Sequence, residues 1–406
     1  MQNVLIEKPY KFVAPLRSTW MHWFIVWTGI YKRFLRKAEG VVSCEIRNGE
    51  RLTESIRAGH SVMVTPNHSR TADPMLMGYL SKEIGCTYYA MASWHLFNQG
   101  WLSKTLVRGM GAFSVNRESI DRQAIDLAIQ VLSEGKRVFL LFPEGTTSRT
   151  NDRLMALMDG TAFIARAAAK KRAKSDGGKV VVHPVAIKYL YKGDIQKVCD
   201  ETLGDIEQRL SWRKQTDLDL VTRIKKVGDA LLKLKELQYE VPSAEGSFVE
   251  RQSRLIEHLL RPLEKEWLGK EVDPSEGIQI RIKNLRMKIF PEISRGEVSE
   301  EEKSRRYKHL EDTYLAQQLE CYPKDWVNDF PSVDRLLETV ERFEEDLTDK
   351  ARIHGNLHAV IDVLEPIEVS TKRDRNAEED PLMTQIRENL QAKLTELQHE
   401  SVMYEA

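Results

Sequence analysis

The chain has little of several things that would narrow its chemistry at once. Cys44, Cys86, Cys199 and Cys321 are its only cysteines in 406 residues, and no two form a CxxC pair. That argues against a zinc site and a disulfide framework, and suits a reducing compartment. Neither charge is in excess: Lys and Arg total 61, as do Asp and Glu. Total charge therefore points to no partner, and no nucleic acid is expected. The N-terminus lacks a basic start followed by an apolar run and a small-residue cleavage site, so no cleavable signal peptide is expected. No GxSxG elbow for a nucleophilic serine is present. His60, His68, His95 and His183 show no metal-ligand spacing, so no metal is expected.

Charge is unevenly placed. Residues 1–37 carry Lys8, Lys11, Arg17, Lys32, Arg33, Arg36 and Lys37 against Glu7. Within them, Ser18 to Tyr31 holds Trp20, Trp23 and Trp27 in about a dozen apolar residues, short of the roughly 20 that span a bilayer. Aromatics favour the headgroup level and a trailing basic cluster meets anionic lipid, so the segment reads as one helix lying in the membrane interface. The plainer alternative is a core helix with a solvated basic end.

From Val41 to about Leu190, β-prone runs alternate with helical ones. Strands are expected at Val41–Ile46, Ser61–Thr65, Thr87–Ala92, Ala112–Val115, Val138–Phe142 and Val180–Ile187. Helices are expected at Pro74–Lys82, Ser119–Ser133 and Leu154–Ala169. This order specifies an α/β architecture with a mostly parallel sheet flanked by helices, whose chemistry gathers beyond the strand ends. Residues 195–354 are rich in Glu, Lys, Arg and Leu, with apolar residues at helical spacing (Leu220, Val221, Ile224, Val227, Leu231), and read as a helical insertion. A β-run then returns at Ala359–Val369, followed by a polar loop (371–380) and an amphipathic helix, Pro381 to about Leu397. A lone strand after a helical region needs a sheet to join. The expected organisation is a membrane-interface segment (1–38), a first part of the α/β domain (39–194), the insertion (195–354) and a closing strand and helix (355–406).

The chemistry-bearing residues follow the strands. His68 stands on the loop after the apolar run ending at Pro66, with Asp73 five positions on and Pro74 next. Asp73 reads as a helix N-cap before a proline at the first helical position, and as a carboxylate within reach of a general base. Arg117, at the end of Gly111–Arg117, offers a fork of donors suited to phosphate. Phe142-Pro143-Glu144-Gly145-Thr146-Thr147-Ser148-Arg149 brings a carboxylate, a permissive glycine and hydroxyls. Pro184 within Val180–Ile187 removes a ladder donor and suggests a sheet edge or a special bend.

Taken together, Asn67-His68 with Asp73, the segment ending at Arg117, Phe142-Pro143-Glu144-Gly145-Thr146, and Pro184-Val185 resemble the four sequence blocks of the glycerol-phosphate acyltransferase family, which includes the lysophosphatidate acyltransferases. The resemblance covers roughly residues 40–195 and extends to 355–400, where Leu364-Glu365-Pro366-Ile367 looks like the family's closing strand. Thr147, where many members carry Arg, and His183, where an apolar residue is common, depart from the pattern. The resemblance implies that His68 is the base and Asp73 its orienting partner, with Arg117, Glu144, Gly145 and Thr146 holding the acceptor. Asn67, Arg70, Ser148, Arg149 and Pro184 complete the candidate set. It further implies acyl transfer from acyl-CoA or acyl-carrier protein, without a cofactor, to a lysophospholipid or glycerol-phosphate acceptor at the cytoplasmic face of a membrane. Rival readings are an inactive membrane-surface scaffold, with an unidentified partner on the insertion, and an acyl-thioester hydrolase.

Overall fold

The computed structural model describes residues 10–175, 177–241, 245–322, 326–373, 377 and 379–405. Glu7 and Lys8 of the basic segment, and part of the 371–380 loop, lie outside them. Among the described residues the strands are β1 (Val41–Arg47), β2 (Ser61–Pro66), β3 (Tyr88–Ser93), β4 (Ala112–Val115), β5 (Val138–Leu140), β6 (Val180–Tyr191), β7 (Leu357–Val363) and β8 (Ile367–Glu368). They form one sheet in the order β1-β7-β6-β2-β5-β3-β4, with β8 also on β6. Pairing is parallel except where β6 meets β7 and β8. This is the mostly parallel α/β architecture expected from the alternating pattern. The strand that returns late in the chain, β7, fills the space between β1 and β6.

Helices cover both faces. The N-terminal part contributes α1 (Trp20–Thr28), α2 (Ile30–Ala38), α3 (Glu50–Arg57), α4 (Asp73–Ile84), α5 (Trp101–Gly109), α6 (Arg122–Glu134) and α7 (Gly160–Ser175). After β6 come α8 (Ile195–Arg209), α9 (Leu220–Gln238), α10 (Phe248–Leu268), α11 (Ile278–Arg295), α12 (Glu300–Glu320), α13 (Trp326–Asp329) and α14 (Val333–Thr348), and α15 (Pro381–Gln398) closes the chain. One apolar core joins the sheet to α1, α2, α4, α8, α14 and the start of α9; the opposite face packs on α6, α7 and α15. The helical region is therefore not uniform. Its first and last helices belong to the sheet's core, whereas α10, α11 and α12 have a core of their own. Fully buried apolar side chains such as Met63, Phe113, Phe139 and Val182 stabilise the sheet by about 1.5–3 kcal/mol each.

Three local expectations are corrected. The aromatic N-terminal segment is two helices, because Gly29 turns left-handed at φ 70° between α1 and α2. The helix expected from Leu154 starts only at Gly160, since the preceding backbone is drawn into the site: the Met155 amide donates to Glu144 and the Met158 amide to the Pro143 carbonyl. Pro184 does not mark a sheet edge. It sits mid-way along β6, opposite Thr65 of β2, and its carbonyl accepts the Leu364 amide at 2.9 Å.

An antiparallel pair of this kind normally exchanges two bonds, and Pro184 cannot return one. The neighbouring His183 supplies it. Its buried Nδ1 lies 3.0 Å from the Leu364 carbonyl, which can only accept, so Nδ1 carries the proton and Nε2 takes the Ser55 hydroxyl at 2.9 Å. Burial lowers the His183 pKa, which favours this neutral form. The strand breaks between β7 and β8 at this point, at Glu365 and Pro366. His183→Ala should destabilise the fold by about 1–3 kcal/mol, as the cost of leaving a buried group unpaired. Adding Pro184→Ala restores a backbone donor and should recover part of that loss in urea denaturation. No recovery would contradict the substitution of ring for amide.

Candidate functional site

The parallel strands β2, β5, β3 and β4 end on one side of the sheet, and their following loops carry the candidate residues. Registers of Val64 with Leu140, Leu140 with Ala90, and Ala90 with Ala112 put His68, Phe142 to Gly145, His95 and Arg117 all beyond the carboxyl ends. That edge is where open α/β sheets bind ligands.

His68 is fixed through its backbone before its side chain is considered. Its amide donates to Glu144 Oε1 at 2.6 Å and its carbonyl accepts the Ser148 amide at 2.7 Å. The ring lies 4.3 Å from that of Phe142, centroid to centroid. The preceding Asn67 takes over where β2 ends: its buried amide group donates to the Ile187 carbonyl at 3.0 Å and accepts the Ile187 amide at 2.7 Å, in the manner of another ladder residue.

His68 Nδ1 lies 2.8 Å from Asp73 Oδ2. Asp73 is fully buried, and the same oxygen accepts the Arg70 amide at 3.0 Å while the Tyr189 hydroxyl donates to Oδ1. Asp73 is the first residue of α4, the N-cap is Ala72, and no side chain caps the helix. The expected capping role is thus replaced. Both carboxylate oxygens are committed to the loop and to β6, although the position in the first helical turn still favours a negative charge. Because every partner of Asp73 named here is a donor, the proton of the His68–Asp73 bond sits on Nδ1. Nε2 makes no hydrogen bond among the described residues, and its lone pair is left for an incoming proton.

Glu144 makes no ion pair with an arginine among the described residues. Its buried carboxylate bridges two backbone amides, His68 through Oε1 and Met155 through Oε2 at 2.9 Å, and so braces the base's loop. Burial pushes its pKa up to about 7, against the lowering effect of those two amides. Gly145 adopts φ 66° in the turn that its amide closes on the Phe142 carbonyl, a conformation glycine reaches at little cost. Thr146 is partly exposed, with no hydroxyl hydrogen bond among the described residues.

The arginines separate by their partners. Arg70 pairs with Glu341 of α14 at 2.7 Å, and Arg149, held at φ 55°, pairs with Glu345 of the same helix. Ser148 is buried and bonds within its own loop, its Oγ donating to the Thr150 carbonyl at 3.2 Å. Arg117 is half-buried and has no hydrogen bond or ion pair among the described residues. Burial and Arg117 together lower the pKa of the neighbouring His95 to about 4. Beside them, Glu118 accepts the Tyr314 hydroxyl of α12 at 2.6 Å. Arg117 follows β4, three strand spacings from β2, or roughly 14 Å. The geometry thus brings His68, Asp73, Asn67, Arg70, Glu144 and Ser148 into one connected cluster and leaves Arg117 at the far side of the same edge. Tyr189 and α14 were not foreseen. Tyr189 lies two positions beyond the expected strand Val180–Ile187, after Lys188, and the carboxylates of α14 are indistinguishable by spacing from a solvated helix face.

The model of the family described as Acyltransferase matches residues 47–188. The α/β domain built on that span is therefore similar to the acyltransferases that this family comprises. No curated protein matches the chain.

Glu144→Gln keeps the shape but sets an NH2 group against one of the two amides. We expect a stability loss of about 1–3 kcal/mol near neutral pH. A glutamate whose folded pKa is raised stabilises the fold most below its unfolded value and loses that contribution as pH rises through about 7. The wild-type advantage over Glu144→Gln should therefore narrow from about pH 5 to about pH 8, as read by denaturation at each pH. A widening gap would contradict the assigned burial effect.

Proposed function

We propose that the protein moves a fatty acyl group from an acyl thioester, acyl-CoA or acyl-carrier protein, to the free hydroxyl of a glycerol-phosphate lipid, with 1-acylglycerol 3-phosphate as the acceptor. The observation that carries this reading is the His68–Asp73 pair, with Nδ1 committed to the carboxylate at 2.8 Å and Nε2 unoccupied. Nε2 takes the proton of the acceptor hydroxyl as its oxygen attacks the thioester carbonyl; Asp73 holds the ring and stabilises the imidazolium. The carbon–sulfur bond then breaks, and the thiolate leaves with the proton from His68. No protein nucleophile is required. General-base help is worth roughly 10² to 10⁴ in rate, so alignment of the two substrates must supply much of the rest.

Arg117 is suited to the acceptor phosphate because, unlike Arg70 and Arg149, it is not committed to an ion pair with α14. Gly145 and Thr146 lie on the loop next to His68, where they line the path between base and phosphate. Glu144 acts at one remove, through the His68 amide.

A membrane surface fits the two helices at the N-terminus. No helix among the described residues is long and apolar enough to cross a membrane. Yet α1 buries His22, Ile25 and Val26 while Trp20, Phe24 and Trp27 stay exposed, continued by Ile30 and Phe34 of α2. Trp23 is half-buried against the core and contributes less than its neighbours. Exposed Trp101, Leu102 and Leu106 of α5 extend the patch, since Gly109 of α5 lets Met21 of α1 pack directly on its backbone. Lys32, Arg33, Arg36 and Lys37 are exposed beside it. Rings at headgroup level with basic neighbours support monotopic attachment at the cytoplasmic face, where the lipid product also resides.

A panel of acyl thioesters against glycerol 3-phosphate and lysophospholipids, followed by thiol release and lipid mass, tests the reaction. Release that depends on a lipid acceptor is expected; release undiminished without one would make the protein a hydrolase. His68→Ala should lower transfer by at least about 10²-fold with unchanged melting behaviour; Asp73→Ala should lower it as much, with a stability loss of about 1–3 kcal/mol for the buried donors it leaves unpaired, whereas Arg117→Ala should chiefly raise the acceptor KM. Joint Trp20→Ala and Trp27→Ala should reduce sedimentation with anionic vesicles; unchanged binding would discard the membrane assignment.

A further inference from the structure

Among the described residues, Tyr189 is the side chain that reaches Asp73 from outside the β2–α4 loop and the helix it begins. It stands one position beyond the span that matches the family model. Its own place is set by Asn151, whose side chain accepts the Tyr189 amide at 2.9 Å and donates to the Tyr189 carbonyl at 2.5 Å. The Asn151 amide in turn donates to Glu338 of α14 at 3.0 Å. A second route runs from the same helix: Glu341 holds the Arg70 guanidinium at 2.7 Å, that guanidinium lies 5.5 Å from the Tyr189 ring centre, and the Arg70 amide binds Asp73 Oδ2.

We propose that Tyr189 is a positioning residue for the transfer reaction, and that α14 sets the orientation of the His68–Asp73 pair through Glu338–Asn151–Tyr189 and Glu341–Arg70. This rests on the reading of His68 as the base. A carboxylate held at one oxygen can turn about its side-chain bonds, and the imidazole turns with it; fixing Oδ1 removes that freedom. The hydroxyl also draws charge from the carboxylate, which moderates how strongly Asp73 stabilises an imidazolium. The charged groups around the pair are Arg70 from the loop, Glu39 at the end of α2, Glu144 after β5, and Glu338 and Glu341 of α14. Burial raises the pKa of Tyr189, which keeps it a donor across the working range. A helical region that resembles an insertion in sequence thereby becomes part of the apparatus that aims the base.

The test uses the full chain with an acyl-CoA and 1-acylglycerol 3-phosphate as probes. Tyr189→Phe, which keeps the ring, should lower kcat by about 10- to 100-fold, with the acceptor KM little changed. Glu341→Gln should lower kcat in the same sense by a few-fold, and serves alone if Tyr189→Phe does not fold. Wild-type kcat in Tyr189→Phe, or in Glu341→Gln when it stands alone, would overturn the proposal, as would a loss confined to KM. The parallel His68→Ala measurement separates the two claims. An inactive His68→Ala beside an unaffected Tyr189→Phe removes only the positioning role, whereas an active His68→Ala removes the reaction reading beneath it.

Discussion

The site depends on a fully buried carboxylate, Asp73, whose two oxygens are shared among an imidazole, a backbone amide and a phenol. A carboxylate taken out of water is costly unless donors replace its hydration, and here the replacement donors come from two places in the chain: the β2–α4 loop at His68 and Arg70, and β6 at Tyr189. Folding of the sheet therefore has to be complete before the charge is satisfied. Once it is, the tautomer and direction of His68 follow, because among the described residues Nδ1 has a single acceptor within reach and Nε2 has none.

The same dependence explains the remaining buried polar contacts. Glu144 ties the His68 amide to Met155, and the backbone between Met155 and Gly160 stays out of the following helix as a result. Asn67 carries the β2–β6 ladder one residue beyond Pro66. Beyond them, Lys188, Asp152, Asp334 and Arg335 form a buried ionic cluster that seats α14 against β6. Such clusters are weak evidence for stability but specify geometry well. At this place geometry is what acyl transfer between two bound substrates requires.

Much of this was legible in the residues. The alternation of apolar runs with helical spacing identified the parallel sheet, and the strand-end placement of His68, Arg117 and Phe142 to Thr146 put them at the carboxyl ends of its strands, where the structure has them. What could not be read has physical reasons. Pro184 announces a lost donor but not that a neighbouring histidine makes good the loss. Asp73 before Pro74 has the composition of a cap, and local spacing cannot reveal that Tyr189, 116 positions away, competes for its oxygen. Gly29 within an aromatic run was read through as helix, although its left-handed turn divides the run in two. Glu338, Glu341 and Glu345 sit among many like residues, and only tertiary packing separates the buried ones from the solvated.

In the proposed reaction, His68 Nε2 receives the proton of a lipid hydroxyl while Arg117 holds the phosphate of the same molecule. A crystal structure with a bound lysophosphatidate and a non-hydrolysable acyl thioester tests it most directly. The free hydroxyl is expected within about 3 Å of His68 Nε2, with the phosphate on Arg117 and the thioester carbonyl carbon beside that hydroxyl. A phosphate bound away from Arg117, with the hydroxyl out of reach of His68, would contradict it.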